Sequence, residues 1–191
     1  MNQNPDIPYT DSRKSPDRES DTVKEKKVRV LGIREDWAVI PFLALILIGS
    51  IVSIIDFVYV QKFVFHFLWV ITGIPILLFG SALKFLSRRR LSNTSFGSIW
   101  KTPFLQIMED HRLVTDGYYT HIRHPIYLGE IGRAVGLAIT LSSLYGLVIM
   151  TIGLVFLLIR IEIEEKMLIE AFGEEYIKYR RNTKKLIPYI Y

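Results

Sequence analysis

Four apolar stretches, separated by shorter polar segments, set the pattern of the chain after residue 36. They run from Trp37 to Ile55, Phe63 to Leu83, Ile126 to Leu141 and Leu144 to Ile159. The first holds roughly 19 residues without a charge, and about 20 apolar residues in a helix are enough to cross the hydrocarbon of a bilayer. The pattern therefore predicts an all-α, polytopic membrane helical bundle with about four transmembrane helices.

The third and fourth stretches are predicted to form a helical hairpin that turns at Ser142 and Ser143. Gly132 and Gly136 have the small-xxx-small spacing that lets membrane helices approach closely. After the fourth stretch, apolar residues recur at intervals of three and four, which predicts a cytoplasmic amphipathic helix that continues to about Arg181. These residues are Ile163, Met167, Ala171, Phe172, Tyr176 and Tyr179.

The polar segments predict the ends of the domain and its orientation. Residues 1–27 hold too little apolar surface to offset the entropy of ordering, so they are predicted to be a disordered N-terminal tail. Residues 28–191 form the predicted membrane domain. Basic residues cluster in the loop from Lys84 to Arg123 and are scarce in the other loops. Because basic loops stay cytoplasmic, both termini and this loop are predicted to face the cytoplasm.

Composition narrows the possible functions. Half of the 191 residues are hydrophobic, and the lack of cysteine excludes disulfides, thiolate metal sites and a cysteine nucleophile. The net charge is +5, and a basic excess beside membrane spans suits anionic lipids better than nucleic acid. There is no Walker loop, no Gly-x-Gly-x-x-Gly after a strand and no His-Glu-x-x-His. A nucleotide-like cofactor must therefore be held by loops and helix ends.

A polar run, Gly117 to Tyr127, leads directly into the third apolar stretch. Polar and charged groups at a membrane boundary are costly to place and indicate a function by default. His124 precedes Pro125 and is pushed toward extended geometry, whereas proline suits the first turn of a helix. Unpaired backbone amides at this helix start are expected to favour an anionic group. A basic interfacial anchor with an aromatic belt residue, Tyr127, is an equally weighted interpretation.

A second polar cluster lies where the fourth stretch ends. Arg160 and Glu164 are four residues apart and share a helix face, so an ordinary ion pair within the helix is one interpretation. Arginine before glutamate is the poorer orientation for such a pair, and charges at this depth need specific partners. The hairpin should bring His124 next to Glu164 around one small molecule. Glu130 and Arg133, three residues apart, are interpreted as a structural pair inside the bundle.

The segment from residue 111 to 191 resembles the isoprenylcysteine carboxyl methyltransferase family. The resemblance covers about 40 % of the chain and depends on these motifs taken together: His111-Arg-Leu-Val114, Gly117, Tyr119, Arg123-His-Pro-Ile-Tyr127, Arg160, Glu164-Glu165, Leu168, Phe172-Gly-Glu-Glu-Tyr176 and Pro188. The animal members of that family have more spans, so this chain resembles the shorter members. The first two apolar stretches resemble the family in hydropathy alone.

The resemblance implies an S-adenosyl-L-methionine-dependent methyltransferase whose cofactor-binding part lies in residues 100–191. By position, the implied cofactor-binding residues are His111, Arg112, Leu113, Val114, Tyr119, His124, Pro125, Ile126, Tyr127 and Glu164. Glu164 is expected to pair with the amino group of the donor. Arg160 is expected to face the carboxylate of a prenylcysteine-like or other lipophilic acceptor, and Arg123 is a further candidate for that role. No metal is implied.

Three other classes stay open at this point. A phospholipid or amine N-methyltransferase of related architecture is the nearest, although Arg160 suits a carboxylate acceptor better than a cationic nitrogen. A membrane reductase that uses a nicotinamide cofactor would need extra basic residues at a phosphate site. A non-catalytic membrane scaffold would not bind S-adenosyl-L-methionine.

Overall fold

The structure is a computed structural model that describes residues 28–30, 35–60, 67–94, 106–108 and 113–187. The predicted tail, residues 1–27, lies outside these ranges, as do His111, Arg112 and Pro188. The described part is a bundle of helices, as the hydropathy pattern predicts. Its α-helices are α1 Val39–Ile55, α2 Phe67–Thr94, α3 Pro125–Thr140, α4 Leu144–Phe172 and α5 Glu174–Asn182.

Three shorter elements accompany the α-helices. A π-helical turn, Asp56–Val60, extends α1, and a 3₁₀ turn, Gly117–Thr120, precedes α3. Two short strands, β1 Val28–Val30 and β2 Gln106–Met108, pair in antiparallel fashion. This strand pair was not expected from the sequence, and it joins the segment before α1 to the loop between α2 and α3.

Three helical segments in the described part are long and apolar enough to cross a membrane: Val39–Val60, Phe67–Leu91 and Leu144–Phe172. The third predicted span, α3, has 16 residues. At 1.5 Å per residue it is about 24 Å long, which is shorter than the roughly 30 Å hydrocarbon core. The prediction of about four spans therefore becomes three helices of spanning length and a shorter helix, α3, packed against them.

Glycines allow α2 and α3 to lie unusually close together. A Cβ atom added to Gly80 would lie 2.4 Å from the backbone nitrogen of Arg133, and one added to Gly136 would lie 2.4 Å from that of Leu77. The predicted packing role of Gly132 and Gly136 is thus confirmed, with α2 as the partner helix. Glu130 forms ion pairs with Arg133 and with Lys84 of α2, so the predicted Glu130–Arg133 pair is present.

The predicted hairpin between α3 and α4 is present. Ser142 has a left-handed φ of 53°, and the hydroxyl of Ser143 caps α4 by accepting a hydrogen bond from the amide of Gly146 at 3.1 Å. On the other side of α4 lies α1, and the two helices share a core that contains Phe42, Ile46, Met150 and Leu157. In this bundle α3 runs antiparallel to α2 and to α4, and α4 runs antiparallel to α1.

The amphipathic continuation of α4 differs from the prediction. The helix does not run unbroken to Arg181, because α4 ends at Phe172 and α5 begins at Glu174. Gly173 between them has a φ of +54°, a conformation that glycine adopts at little cost. The break turns α5 so that Tyr176 becomes buried, and Tyr179 reaches the 3₁₀ turn, where its hydroxyl donates to the carbonyl of Tyr119 at 2.7 Å.

Candidate active site

The C-terminal segment after α5 pairs with the backbone that leads into α3. Ile122 and Lys184 form a parallel β-bridge. The amide of Arg123 donates to the carbonyl of Lys184 at 2.8 Å, and the amide of His124 donates to that of Lys185 at 3.1 Å. These two amides are therefore not available to an anionic ligand, and the expectation of an anion site at this helix start is wrong for them. The pairing instead fixes where the side chains of Arg123 and His124 lie.

Glu165 is the buried centre of this arrangement. Its side chain is 2 % exposed, and Oε1 accepts a hydrogen bond from Nε of Arg123 at 2.8 Å and lies 3.3 Å from Nε2 of His124. Its other oxygen lies 3.6 Å from Nε of Arg180 in α5. Charges buried to this degree are found paired, because an isolated carboxylate is very costly to desolvate. Glu165 belongs to the motif noted in the sequence, but no role was predicted for it.

The guanidinium of Arg123 also contacts α5 and the segment that follows it. Its Nη1 donates to the carbonyl of Arg180 at 3.1 Å and also to the carbonyl and, at 3.4 Å, the hydroxyl oxygen of Thr183. Together with the bond to Glu165, these contacts commit the guanidinium to joining α3, α4 and the C-terminal segment. The geometry therefore gives Arg123 a positioning role rather than contact with an acceptor.

The predicted approach of His124 to Glu164 is present. Nδ1 of His124 lies 3.7 Å from Oε2 of Glu164, so the imidazole sits between the two neighbouring carboxylates of α4. The ring of Tyr127 stacks on His124 with 5.7 Å between centroids. Unlike Glu165, Glu164 is partly exposed, with 23 % of its side chain accessible. Its Oε2 accepts no hydrogen bond from any residue that the structure describes.

Arg160 lies one helical turn before Glu164 and points into the same region. Its Cζ atom is 6.0 Å from the centre of the Tyr127 ring. Nη2 of Arg160 forms an ion pair with Oδ2 of Asp36 at 3.1 Å, and Asp36 is fully buried just before α1. No role was predicted for Asp36 from the sequence. The one feature of the sequence that could have pointed to Asp36 is that it places a carboxylate directly before an apolar stretch.

The remaining predicted residues differ in burial and in contacts. Pro125 is buried in the first turn of α3, Ile126 is half-buried, and so are Leu113 and Val114. The hydroxyl of Tyr119 points to the carbonyl of Ser87 in α2 at 3.4 Å, and burial raises the pKa of Tyr119. Tyr119 therefore also supports the fold, since it joins α2 to the loop before α3. His111 and Arg112 lie outside the described residues.

The fold and site define an integral membrane protein: a helical bundle that collects opposite charges at one end, where α1 and α3 begin. The sequence profile of the family described as phospholipid methyltransferase matches residues 68–175. The chain therefore belongs to the phospholipid methyltransferase family. The matched range includes α2, α3, α4 and the start of α5, and it excludes Asp36.

Individual relatives agree with this assignment. The chain is 42 % identical over 97 residues to a protein-S-isoprenylcysteine O-methyltransferase of Saccharomyces cerevisiae, which covers 50 % of this chain and 39 % of the yeast protein. It is 31 % identical over 125 residues to the protein of the same name from Homo sapiens, over 63 % of this chain and 41 % of the human protein. A methanethiol S-methyltransferase of Crocosphaera subtropica is 34 % identical over 76 residues, or 40 % of this chain and 29 % of that protein.

A solved structure has the same fold. It is described as the eukaryotic intramembrane Ras methyltransferase, isoprenylcysteine carboxyl methyltransferase, without a monobody. The TM-score is 0.61 at 25 % identity, and the match covers 75 % of this chain and 52 % of that one. The resemblance to the isoprenylcysteine carboxyl methyltransferases noted in the sequence is thus confirmed. The chain spans 39 % and 41 % of the length of the yeast and human relatives and 29 % of the Crocosphaera subtropica protein.

Proposed function

We propose that this chain is a membrane methyltransferase that moves a methyl group from S-adenosyl-L-methionine to the carboxylate of a lipophilic, prenylcysteine-like acceptor, giving a methyl ester. The observation that carries this proposal is the pair of opposite charges on one face of α4. Glu164 offers a carboxylate to a cationic donor, and Arg160 offers a guanidinium to an anionic acceptor. The names of the relatives support the same chemistry.

The residues around Glu164 fit a cationic nucleoside. Oε2 of Glu164 is enclosed and accepts no hydrogen bond from a described residue, so it can receive one from an ammonium group. His124 and Tyr127 stack on each other beside it and would form one wall of the donor site. S-adenosyl-L-methionine would supply a sulfonium-bound methyl group, which passes to a carboxylate oxygen by in-line displacement while S-adenosylhomocysteine leaves.

Arg160 fits the acceptor side of this reaction. A guanidinium binds a carboxylate through two parallel hydrogen bonds and so fixes which oxygen faces the methyl group. The carboxylate is already a nucleophile, so no general base is needed. Catalysis then comes from holding two substrates in line and excluding water. Because the negative charge disappears as the ester forms, Arg160 must orient the acceptor without binding the ground state too tightly.

The site is proposed to face the cytoplasm together with both termini. The last turns of α2 carry Lys84, Arg88, Arg89 and Arg90, and Arg90 pairs with Asp116 in the loop before α3. This basic segment lies at the same end of the bundle as Glu164. Under the positive-inside rule that end is cytoplasmic. A donor would enter from the cytoplasm, and a lipophilic acceptor would enter from the bilayer.

The family name and one relative point to two other acceptor classes. Phospholipid methyltransferases would transfer the methyl group to an amine, and a methanethiol S-methyltransferase acts on a thiol by its name. Both leave Glu164 in the same donor-binding role. They leave Arg160 beside a cationic or neutral acceptor, where its charge has no use, so the carboxylate acceptor is favoured.

The test is a methyl-transfer assay with the purified full chain in lipid nanodiscs and donor labelled in the methyl group. The acceptors are prenylcysteine, phosphatidylethanolamine, methanethiol and a membrane extract. Prenylcysteine should gain label that mild base releases as methanol, and prenylcysteine methyl ester, whose carboxylate is blocked, should gain none. Base-stable label on phosphatidylethanolamine, or label on methanethiol alone, would replace the carboxylate with the corresponding acceptor.

A further inference from the structure

Asp36 ties the start of α1 to the proposed acceptor-binding arginine. It lies directly before the helix, and its carbonyl accepts a hydrogen bond from the amide of Val39 at 3.3 Å. The adjacent Trp37 packs edge-on against Phe156, one turn before Arg160, with 6.1 Å between ring centroids. The segment is therefore docked on α4 by two neighbouring contacts, one aromatic and one ionic.

The ionic contact is unusual in its burial. Asp36 is 0 % exposed, and the side chain of its partner Arg160 is 10 % exposed, with 3.1 Å between Oδ2 and Nη2. Taking two charges out of water costs much of what their attraction returns, so a buried ion pair is weak evidence of a stabilising role. Asp36 also lies outside the range that matches the family profile, residues 68–175. The burial of this pair at the proposed acceptor-binding arginine instead indicates a role in the site.

Asp36 is the same kind of group as the proposed acceptor. Both are carboxylates, and both need the guanidinium of Arg160. Two carboxylates on one guanidinium leave a net negative charge, and like charges at close range oppose each other's binding. Asp36 must therefore weaken the attraction of Arg160 for an anionic acceptor. A neutral ester is not repelled in this way.

We infer that Asp36 is a positioning and specificity-determining residue for the acceptor. It holds one edge of the Arg160 guanidinium and turns the other edge toward the acceptor. Its negative charge also limits how tightly Arg160 binds the acceptor carboxylate, so that the carboxylate is oriented without being over-stabilised. This inference rests on the proposed carboxylate methylation. Before the acceptor binds and after the neutral ester leaves, the Asp36–Arg160 pair has no net charge. While the carboxylate is bound, Asp36 keeps its ground state from becoming too stable, as transition-state selectivity requires.

Asp36→Asn tests the inference, because asparagine keeps the shape and one acceptor oxygen but removes the charge. The KM for prenylcysteine should fall about fivefold as repulsion is lost, and kcat should fall by a similar factor since the bound carboxylate is over-stabilised. Inhibition by the neutral prenylcysteine methyl ester and the Kd of the donor should stay within about twofold of wild type. A purely structural role would change folded yield and leave the KM and the acid-to-ester preference as they are.

Asp56→Asn is the matched control. Asp56 is also a buried aspartate adjoining α1, but it lies at the opposite end of that helix, in the π-helical turn. Its substitution should leave the KM for prenylcysteine unchanged. An unchanged or raised KM in Asp36→Asn would overturn the inference, and so would an equal change in Asp56→Asn.

A second variant covers the case in which Asp36→Asn does not fold. Asp36→Glu keeps the charge and lengthens the side chain by one methylene, so the KM should stay within about twofold while kcat falls because Arg160 is displaced. A KM that falls fivefold in Asp36→Glu would contradict the electrostatic account. If the wild-type protein methylates no carboxylate at all, the proposed function is wrong. If the wild type is active but its KM does not depend on Asp36, the proposed function stands and only the inference about Asp36 is wrong.

Discussion

His124 Nδ1 lies 3.7 Å from Glu164 Oε2, which joins the residue before α3 to the C-terminal part of α4. The two residues come together because the turn at Ser142 and Ser143 folds α4 back along α3. If they lay at opposite ends of the bundle, no single small ligand could touch both. The contact therefore places the polar run before α3 and the charged run of α4 in one site, next to Arg160.

Arg160→Ala is expected to impair use of the acceptor and to leave binding of the donor unchanged. Loss of the guanidinium should lower turnover of prenylcysteine by about 100-fold, because the acceptor is no longer held in line. The Kd of S-adenosyl-L-methionine, measured by isothermal titration calorimetry in nanodiscs, should change by less than about twofold, since Arg160 is assigned no contact with the donor. Lys166→Ala removes a positive charge from an exposed position of the same helix and should alter neither. Because the substitution also takes Arg160 away from the buried carboxylate of Asp36, both quantities are measured on protein that keeps a cooperative thermal unfolding transition. Equal losses in turnover and donor affinity in that protein would contradict the division between Arg160 and Glu164.

Glu164→Gln should weaken donor binding and leave acceptor binding unchanged. A charge-assisted hydrogen bond to the donor contributes about 1.5–3 kcal/mol, so the Kd of S-adenosyl-L-methionine should rise about 10- to 100-fold. With saturating donor, the KM for the acceptor should stay near that of wild type. Glu174→Gln, at an exposed position at the start of α5, is the control for loss of a carboxylate. Donor affinity that is unchanged in Glu164→Gln would remove Glu164 from the donor site.

Glu165→Gln should affect stability first. The carboxylate is 2 % exposed and neutralises Arg123, so its removal leaves a buried guanidinium with less compensation, at a cost of about 3–5 kcal/mol. Thermal unfolding of the full chain in nanodiscs should show a clearly lowered Tm. The matched variant Glu162→Gln removes a carboxylate that is 53 % exposed and pairs with Lys185, so it should cost less, about 1 kcal/mol. A similar Tm for both variants would show that Glu165 is not the centre of a buried network.

The features set by local periodicity were predictable from the sequence. The apolar stretches gave α1, α2 and α4, and Ser142-Ser143 marked the turn that makes His124 and Glu164 neighbours. The same spacing could not decide between Glu164 and Glu165. Adjacent helical residues are about 100° apart, and which of them is buried depends on what packs beside the helix. Here the C-terminal segment and α5 cover Glu165, and no pattern in the sequence near Glu165 predicts this packing.

Contacts between residues that are distant along the chain could not be predicted from the sequence pattern. Asp36 meets Arg160 because α1 packs on α4, and nothing near either residue specifies the other. The break at Gly173 was also missed, since the apolar spacing continues through it to Tyr176 and Tyr179. The contact of Asp36 with Arg160 joins elements that are distant along the chain, so only the assembled bundle shows it. Gly173 was itself a local signal for a helix end, but the continuing apolar spacing pointed the other way.

Tyr176→Phe tests the burial of α5 through its dependence on pH. Burial and then the nearby carboxylates of Glu165 and Glu164 raise the pKa of Tyr176 far above its ordinary value. A group whose pKa is raised in the folded state contributes stability that is present below the unfolded pKa, about 10, and is lost as the pH rises beyond it. The hydroxyl has no hydrogen-bond partner among the described residues, so the variant should be as stable as wild type or slightly more stable near neutral pH.

At alkaline pH the same variant should gain on the wild type. Denaturant unfolding of the full chain at a series of pH values up to and beyond 10 gives the difference in free energy of unfolding. That difference should grow with pH in favour of Tyr176→Phe. Tyr118→Phe, at an exposed tyrosine, should show no such growth. A pH-independent difference would mean that Tyr176 ionises freely in the folded protein.

The lack of cysteine makes the proposed orientation directly testable, since one introduced cysteine is the only thiol in the chain. Glu174→Cys lies at the site end of the bundle, and Tyr145→Cys lies in the first turn of α4 at the far end; both positions are exposed. In sealed right-side-out cells, a membrane-impermeant maleimide should label Tyr145→Cys and leave Glu174→Cys unlabelled until the membrane is opened. The positive-inside rule requires this order, because the basic end of α2 lies on the side of Glu174. Labelling of Glu174→Cys in sealed cells would place the site on the outside, where a donor made in the cytoplasm could not reach Glu164.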